Sequence, residues 1–512
     1  MARARHGPVR AMGRKPSRTL TPQRFRAKIL PGEGCGADEL VVDQLTNLLL
    51  MGGALCVVAA GLLWCLPDPR RAFLLVVLST PFVANPSRHP LLMRIGLPEI
   101  VFTFFMFVWL WSLVLRRPPL RRPHAVHAIA VALVVVAGFS FVGADTKGLR
   151  LGLIEVAILG YLVMYCLVSD QFLTDEEGFR KVLDFWMLAG AVVAVVGLYE
   201  CLAVVAHLPR INVYRDPYRV IATFRRPPQL GVYALSTFFV AVAYSMLPDM
   251  SARKRMLLRL LAAAMVVLIF FSSRRSAMAS LAAGMFLMII FNAGQLRRAC
   301  VLGLLFATAI YGAQYLIGSD PDLSEFFGER IKVLYSPEEI AAKSFLKDNL
   351  NDALTAFDNH PYLGVGYGHF AFSEYSSNGN EVHSTPLRVV AECGVVGSLV
   401  YGFLTLAFLY LGWRNIGQAQ GTRWSAFTRV FFPGLLALQV SYMYNRALRD
   451  RTYWLIIALV VALSRILADR RAAAPPAELE PGPEAGEADE APGLQESAAE
   501  AGGRGAGEPG QA

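Results

Sequence analysis

Apolar runs separated by short polar or basic connections fill most of the chain from residue 45 onward. They lie near 45–66, 72–85, 97–115, 124–143, 150–169, 181–206, 229–247, 256–272, 275–292, 298–317, 394–413, 428–446 and 452–468. About 20 apolar residues are needed to cross the hydrocarbon core as a helix, and most of these runs reach that length. Backbone groups in lipid must be paired within their own segment, so the spans are expected to be α-helices. The run at 72–85 is short and broken by Pro81 and Pro86, and is expected to be a re-entrant or surface segment. The pattern predicts an all-α, polytopic integral membrane bundle of about twelve transmembrane helices with one large periplasmic loop.

The polar segments divide the rest. Residues 1–44 form a basic tail rich in Arg, from Arg3 to Arg26, with no small-residue cleavage site after a short apolar core. An uncleaved cytoplasmic tail is expected there. Residues 45–471 make the membrane domain. Residues 472–512 are Ala, Gly, Pro and Glu without apolar periodicity, and are expected to be disordered. Short basic loops favour the cytoplasm. The clusters Arg116, Arg117, Arg121, Arg122; Arg253, Lys254, Arg255; Arg297, Arg298; and Arg465, Arg470, Arg471 are all cytoplasmic in one consistent threading. That threading puts segment 318–384 outside and, with 72–85 not crossing, both termini inside.

Composition excludes a soluble enzyme. Only 17% of the 512 residues are charged and 55% are hydrophobic, against about 25% charged in soluble domains. Mean hydropathy is +0.43. The net charge of +10 understates the membrane domain. Residues 472–512 hold nine acids against Arg504, a net of −8, which leaves +18 on residues 1–471. These basic residues lie between apolar runs instead of clustering in one domain, so nucleic acid is not an expected partner. The seven Cys show no CxxC pair, and neither a disulfide framework nor a zinc site is suggested.

Segment 318–384 is too long to be a passive connection, since structureless loops beyond about 12–15 residues are uncommon unless functional. Ser336-Pro337-Glu338-Glu339 has the form of a capping box. Ile340, Leu346, Leu350, Leu354 and Phe357 follow at helical spacing. An amphipathic helix at the membrane surface is expected, serving either the site or only packing. Pro361 should stop it. Gly364, Gly366 and Gly368 then permit left-handed backbone and close approach of another group, or make a plain surface turn. His383 follows at the entrance of the next span, where a hydrogen-bonding cap and a catalytic group are both open readings.

The stretches Asn359–Phe370 (NHPYLGVGYGHF) and Val382–Gly397 (VHSTPLRVVAECGVVG) resemble the signature of the O-antigen ligase and Wzy-type polysaccharide polymerase superfamily. Its Gly-containing turn precedes His-Asn-x-x-Leu and Glu-x-Gly-x-x-Gly. His383, Leu387, Glu392, Gly394 and Gly397 stand at matching spacing, with Ser384 in place of Asn. Arg275-Ser276-Ala277 is similar to the family's Ser-Arg-Gly/Ser-Ala segment, with Arg274 extra. The stretch 221–235 is similar to its Gly-Thr-Phe...Pro-Asn segment, with Ala222 and Gln229 replacing Gly and Asn. On the loop helix, where the family tends to carry Arg, this chain offers Lys343 or Lys347.

The expected threading adds its own argument. Arg210, Arg215, Arg219, Arg225, Arg226, Arg274 and Arg275 fall on the outer side, where the orientation rule disfavours them. A diphosphate explains them, because guanidinium is always charged and binds phosphate oxygens bidentately; anionic headgroups are the competing explanation for 210–226. The resemblance implies a metal-independent glycosyltransferase of the bacterial cytoplasmic membrane, acting in lipopolysaccharide or exopolysaccharide biosynthesis. Its partners would be a polyprenyl-diphosphate-linked glycan donor (undecaprenyl diphosphate), an acceptor glycan and membrane lipids, with a flippase and chain-length regulator of the same pathway. No cofactor is expected. His383 and Arg275 are the expected catalytic residues. Arg274, Arg215, Arg219, Arg225, Gly364 and Gly366 are expected to bind substrate. Glu392 is expected to pair with Arg388, and Glu155 to line the bundle interior. Polymerase is preferred to O-antigen ligase, and both to a transporter or lipid flippase, which would show repeated halves and broken midplane spans.

Overall fold

The computed structural model describes residues 60–61, 64–65, 68–83, 96–116, 120–142, 149–211, 218–291, 345–377, 379 and 381–473. The chain divides into one unit up to Pro67 and another from Asp68; everything below concerns the second. Its α-helices are Pro69–Ser79 (α1), Leu97–Arg116 (α2), Ala125–Phe139 (α3), Leu149–Phe172 (α4), Glu176–Val205 (α5), Pro227–Ser245 (α6), Ala252–Phe271 (α7), Arg275–Phe291 (α8), Phe345–Asn359 (α9), Thr385–Gln418 (α10), Ser425–Tyr442 (α11) and Arg451–Ala473 (α12). No strand occurs among the described residues. Helices α2, α4, α5, α10 and α12 are long and apolar enough to cross a membrane, while α3 and α8 are apolar but shorter. The expected span at 298–317, the tail at 1–44 and the tail beyond Ala473 lie outside the described residues, as does the loop from 318 to 344.

Local chemistry sets the helix starts. Asp175 caps α5, its carboxylate accepting from the Gly178 amide at 2.6 Å, with Glu176 and Glu177 in the first turn. Acidic groups there meet the positive end of the helix dipole. Ser251 caps α7 in the same way. Helix α6 begins with Pro227 and Pro228, whose missing amides cost nothing at the first turn. From Leu230 to Ser245 every α6 residue is buried, so α6 runs through the middle of the bundle. Helix α10 instead shows an exposed stripe, Leu399, Phe403, Leu406, Tyr410 and Trp413. Such an apolar stripe is what a lipid-facing helix requires.

One end of the bundle carries the expected basic clusters, paired with acids. There Arg121 faces Asp469 (3.9 Å), Arg465 pairs with Asp170 (2.8 Å), Lys254 pairs with Asp184 (2.6 Å), and Arg470 and Arg423 both meet Glu176. Three of the four basic clusters expected to share a side thus have members at this end; Arg297 and Arg298 lie outside the described residues. The opposite end gathers the start of α10, the start of α8 and the connections before α6 and α12.

Helix α1 falls in the segment expected to be re-entrant or at the surface, and it is not a surface helix. Its eleven residues are too short to span alone, yet Ala72, Phe73, Val76 and Val77 are buried. At its start Arg70 faces Asp175 (4.0 Å) at the basic end. Beyond its end the Val83 amide donates to the Thr223 carbonyl (3.1 Å), in the connection before α6. Residues 69–83 therefore run inside the bundle, from its basic end to its opposite end. Pro81 ends the helix without ending the crossing, because the chain after it pairs with another segment's backbone.

Candidate functional site

Helix α10 is interrupted eight residues after its second position. Gly394 has φ 62° and ψ −158°, which breaks the helical ladder and leaves backbone groups on both sides without helical partners. The Gly-containing turn fills that gap. Amides of Val365 and Gly366 donate to the carbonyls of Ala391 (3.0 Å) and Glu392 (3.1 Å). Amides of Val395 and Val396 donate to those of Pro361 (2.8 Å) and Tyr362 (3.3 Å). The approach is too close for side chains: a Cβ on Gly364 would lie 2.4 Å from the Glu392 carbonyl carbon. Gly364, Gly366 and Gly368 have φ of 69°, 103° and 76°. The segment is thus no plain surface turn, as Val365 to Phe370 are all buried. The group approaching Gly364 is the protein's own helix.

Helix α9 packs on this turn through Ala353 and Ala356, which share a small core with Val365, Phe370, Val382 and Ala391. Leu354, expected on the apolar face, is 43% exposed instead. The face expected from the spacing is therefore split, with Leu350 and Phe357 half-buried and Leu354 exposed, while Ala353 and Ala356 make the contact with the core. Lys343 lies outside the described residues, and of Lys347 only the backbone is described.

Below the turn lies a buried ionic cluster. Arg388 donates to Glu392 (2.7 Å) and faces Glu155 (3.7 Å) and Glu381 (3.8 Å), with its guanidinium 4.9 Å from the centre of the Tyr367 ring. The Gly368 amide donates to the same Glu392 carboxylate (2.8 Å). Arg449 pairs with Glu155 (3.0 Å), and Arg446 pairs with Glu381. Three carboxylates therefore match three guanidiniums. Glu155 and Glu392 are structural members of this cluster, tying α4, α10 and the turn before α12 together.

His383 stands at its edge and is exposed. The Arg446 guanidinium lies 3.3 Å from Nδ1. Burial first, then Arg446 and Arg274, with Arg226 also opposing, push the imidazole down to about 4; Glu381 alone resists. Burial by itself would raise the Glu381 carboxyl, but Arg446, Arg388 and Arg449 hold it below the usual range. His383 is thus neutral at physiological pH and sits in a net positive field, the kind of place that draws an anion.

Several segments are fastened together to make this place. Ser384 caps α10, accepting from the Leu387 amide (3.5 Å), a task Ser performs about as well as the Asn it replaces. Thr385 donates to the Asn445 carbonyl (2.5 Å) and accepts from the Ala447 amide (2.7 Å). Asn445, in turn, donates to Ser276 (3.1 Å) beside Arg275. A Cβ on Gly231 would meet Ala277 and Ser272 at 3.2 Å and Arg274 at 3.6 Å, which brings the start of α6 onto the same segment. The connection before α6 is shaped by Glu200, whose carboxylate accepts from the amides of Ile221 (3.3 Å) and Ala222 (3.0 Å). Ala222 has φ 47°, in the left-handed region that favours glycine. That explains the Gly that the resemblance places there.

Residues 260–402 match the family model described as O-antigen ligase. The matched region contains both motif stretches that carry the resemblance, 359–370 and 382–397. No curated protein matches the chain as a whole. The O-antigen ligase region holds Arg274, Arg275, the glycine turn, His383, Arg388 and Glu392, while Arg226 and Arg446 come from outside it. This match and the apolar helices point to a multi-pass membrane protein, and members of the matched family are glycan-modifying enzymes.

Of the expected site residues, Arg274 and His383 act on each other electrostatically, and Arg275 neighbours the Asn445 anchor. Arg219 lends its carbonyl to Arg210 (2.6 Å), farther along the connection before α6. Arg225 is exposed next to Arg226. Arg215 lies outside the described residues. Gly364 and Gly366 lie in the backbone docking just described. Sequence reasoning missed Arg446 and Arg449. The signal was present, because Arg446, Arg449 and Arg451 crowd the short connection between α11 and α12. The same orientation rule that marked Arg274 and Arg275 marks them.

Proposed function

We propose that this protein is a glycan polymerase that transfers oligosaccharide units from a polyprenyl diphosphate to an acceptor glycan at the outer face of the cytoplasmic membrane. The observation that carries the reading is the 3.3 Å contact of Arg446 with His383, on an imidazole whose protonation Arg274 and Arg226 also oppose. Guanidiniums at such a site suit a diphosphate and stabilise the charge that develops on it as the glycosidic bond breaks. Arg275, at the first position of α8, and Arg219 and Arg225, in the connection before α6, belong to the same reading as diphosphate ligands.

In this reading an acceptor hydroxyl oxygen attacks the anomeric carbon. The bond from that carbon to the diphosphate oxygen breaks, and its electron pair leaves with polyprenyl diphosphate. His383 meets the acceptor hydroxyl, orienting it or taking its proton. The bond energy of the donor drives the reaction, so no nucleotide is needed. O-antigen ligase activity, the transfer of finished glycan to a lipid core or protein, is the second reading. Purified protein given a lipid-diphosphate oligosaccharide decides between them. A ladder of products is expected; a single transfer to a second acceptor would make it a ligase. Movement of the lipid across liposomes with no product would overturn both.

A further inference from the structure

We propose that Arg446 is a positioning residue for His383, holding its ring as the Nε2–H tautomer with Nδ1 turned into the protein. The proposal rests on His383 belonging to the reaction centre. Guanidinium has five N–H donors and no lone pair to accept with. In the 3.3 Å contact between Arg446 Nη2 and His383 Nδ1 the ring nitrogen must therefore be the acceptor. A neutral imidazole carries one ring proton, which is then on Nε2.

Arg446 is well placed to impose this. Glu381 pairs with its other terminal nitrogen, so the guanidinium bridges a carboxylate and the imidazole. Its backbone is fixed on both sides, by Asn445 bonding to Ser276 and Ser441 and by Ala447 donating to Thr385. Among the described residues, the charged groups that act on His383 are Arg446 from the connection before α12, Arg274 from the turn before α8, Arg226 from the start of α6, and Glu381 from its own segment. Three of these four oppose a second ring proton, and Arg446 occupies the nitrogen that would receive it.

The consequence separates the two roles open to His383. With Nδ1 occupied and Nε2 protonated, His383 meets a substrate oxygen as a hydrogen-bond donor. It orients the acceptor or steadies the departing group, and the acceptor's proton passes to an oxygen of the leaving diphosphate. Proton removal by His383 would first require Arg446 to leave.

The test uses full-length protein labelled with 15N-histidine in lipid nanodiscs, with the His383 signals identified by difference against His383→Gln. Near neutral pH the wild-type ring is expected to show a bare Nδ1 and a protonated Nε2, titrating well below its ordinary value. Arg446→Gln should raise that midpoint by about one pH unit or more, and Arg446→Lys should keep most of the depression. A wild-type ring protonated on Nδ1 overturns the proposal, whatever the stability of the variants. So does a midpoint that Arg446→Gln leaves unmoved. None of these readings needs substrate. Undiminished polymer formation by His383→Gln would instead remove His383 from the reaction centre, leaving the tautomer result as it stands.

Discussion

The amide of Gly366 donates to the carbonyl of Glu392 across 3.1 Å, so a turn 26 residues upstream completes the backbone of an interrupted helix. The break at Gly394 would be costly if its amides and carbonyls were buried alone. Replacing Gly364 or Gly394 by Ala forces a side chain into a left-handed backbone, at about 1–2 kcal/mol, and into contact at 2.4 Å with opposing backbone. Both variants should reduce the yield of folded protein in detergent. Gly379, with φ 63° and nothing within 4 Å of its Cβ position, should suffer only the first cost, and comparing thermal unfolding of the three checks this.

Arg388 and Glu392 are both buried and 2.7 Å apart. Arg388→Ala would leave buried carboxylates facing no guanidinium from α10, a loss on the order of 3–5 kcal/mol. Glu392→Gln keeps an acceptor for Arg388 and for the Gly368 amide, so it should cost less. The order of the two midpoints in detergent unfolding is the measurement.

Asn445 holds Ser276 of α8 and, through its carbonyl, Thr385 of α10. Asn445→Ala removes the side-chain bonds to Ser276 and Ser441, worth about 1 kcal/mol each. Protein should still accumulate in membranes, while polymer formation falls more than protein level does, because the anchor holding the Arg446 connection beside Arg275 is loosened. Equal loss of both would deny Asn445 this role.

Ala222 occupies a left-handed position under the Glu200 carboxylate. A β-branched residue there is strongly disfavoured, so Ala222→Val should destabilise by about 2 kcal/mol or more. Ala222→Gly should stay within about 1 kcal/mol of wild type. Side-by-side thermal unfolding distinguishes the pair.

The folded-state value for His383 is about 4 against 6.5 unfolded. Between these values the unfolded chain binds more protons than the native one, so stability rises with pH across this window. The contribution is complete above pH 6.5 and is lost as pH falls toward 4. Protonating Nδ1 would also expel Arg446. Activity limited by His383 should therefore survive to about pH 5 and fall below it, and a pH–rate profile with an acidic limb near 6.5 would contradict this assignment.

Apolar patterning made the all-helical membrane class legible, because burial of a helix in lipid demands apolar residues along its whole length. Short sequence words made the region around His383 legible, since a Ser cap and glycines at left-handed positions are local requirements. What the pattern left open were relations between segments. The packing of α9 runs through Ala353 and Ala356, and the end of residues 69–83 is held by a backbone partner at Thr223.

By itself, then, the sequence determined which stretches are helical, where positive charge stands against the orientation rule, and which residues form the motifs around His383. The tertiary structure decided which charges meet. Arg226, Arg274 and Arg446 are 220 residues apart at their extremes, and only the packing of α6, α8, α10 and α12 brings them around one imidazole. Coulomb interactions depend on distance in space and on the surrounding medium, and neither can be read along the chain. That is why three arginines with the same residue type acquire their role only in the fold.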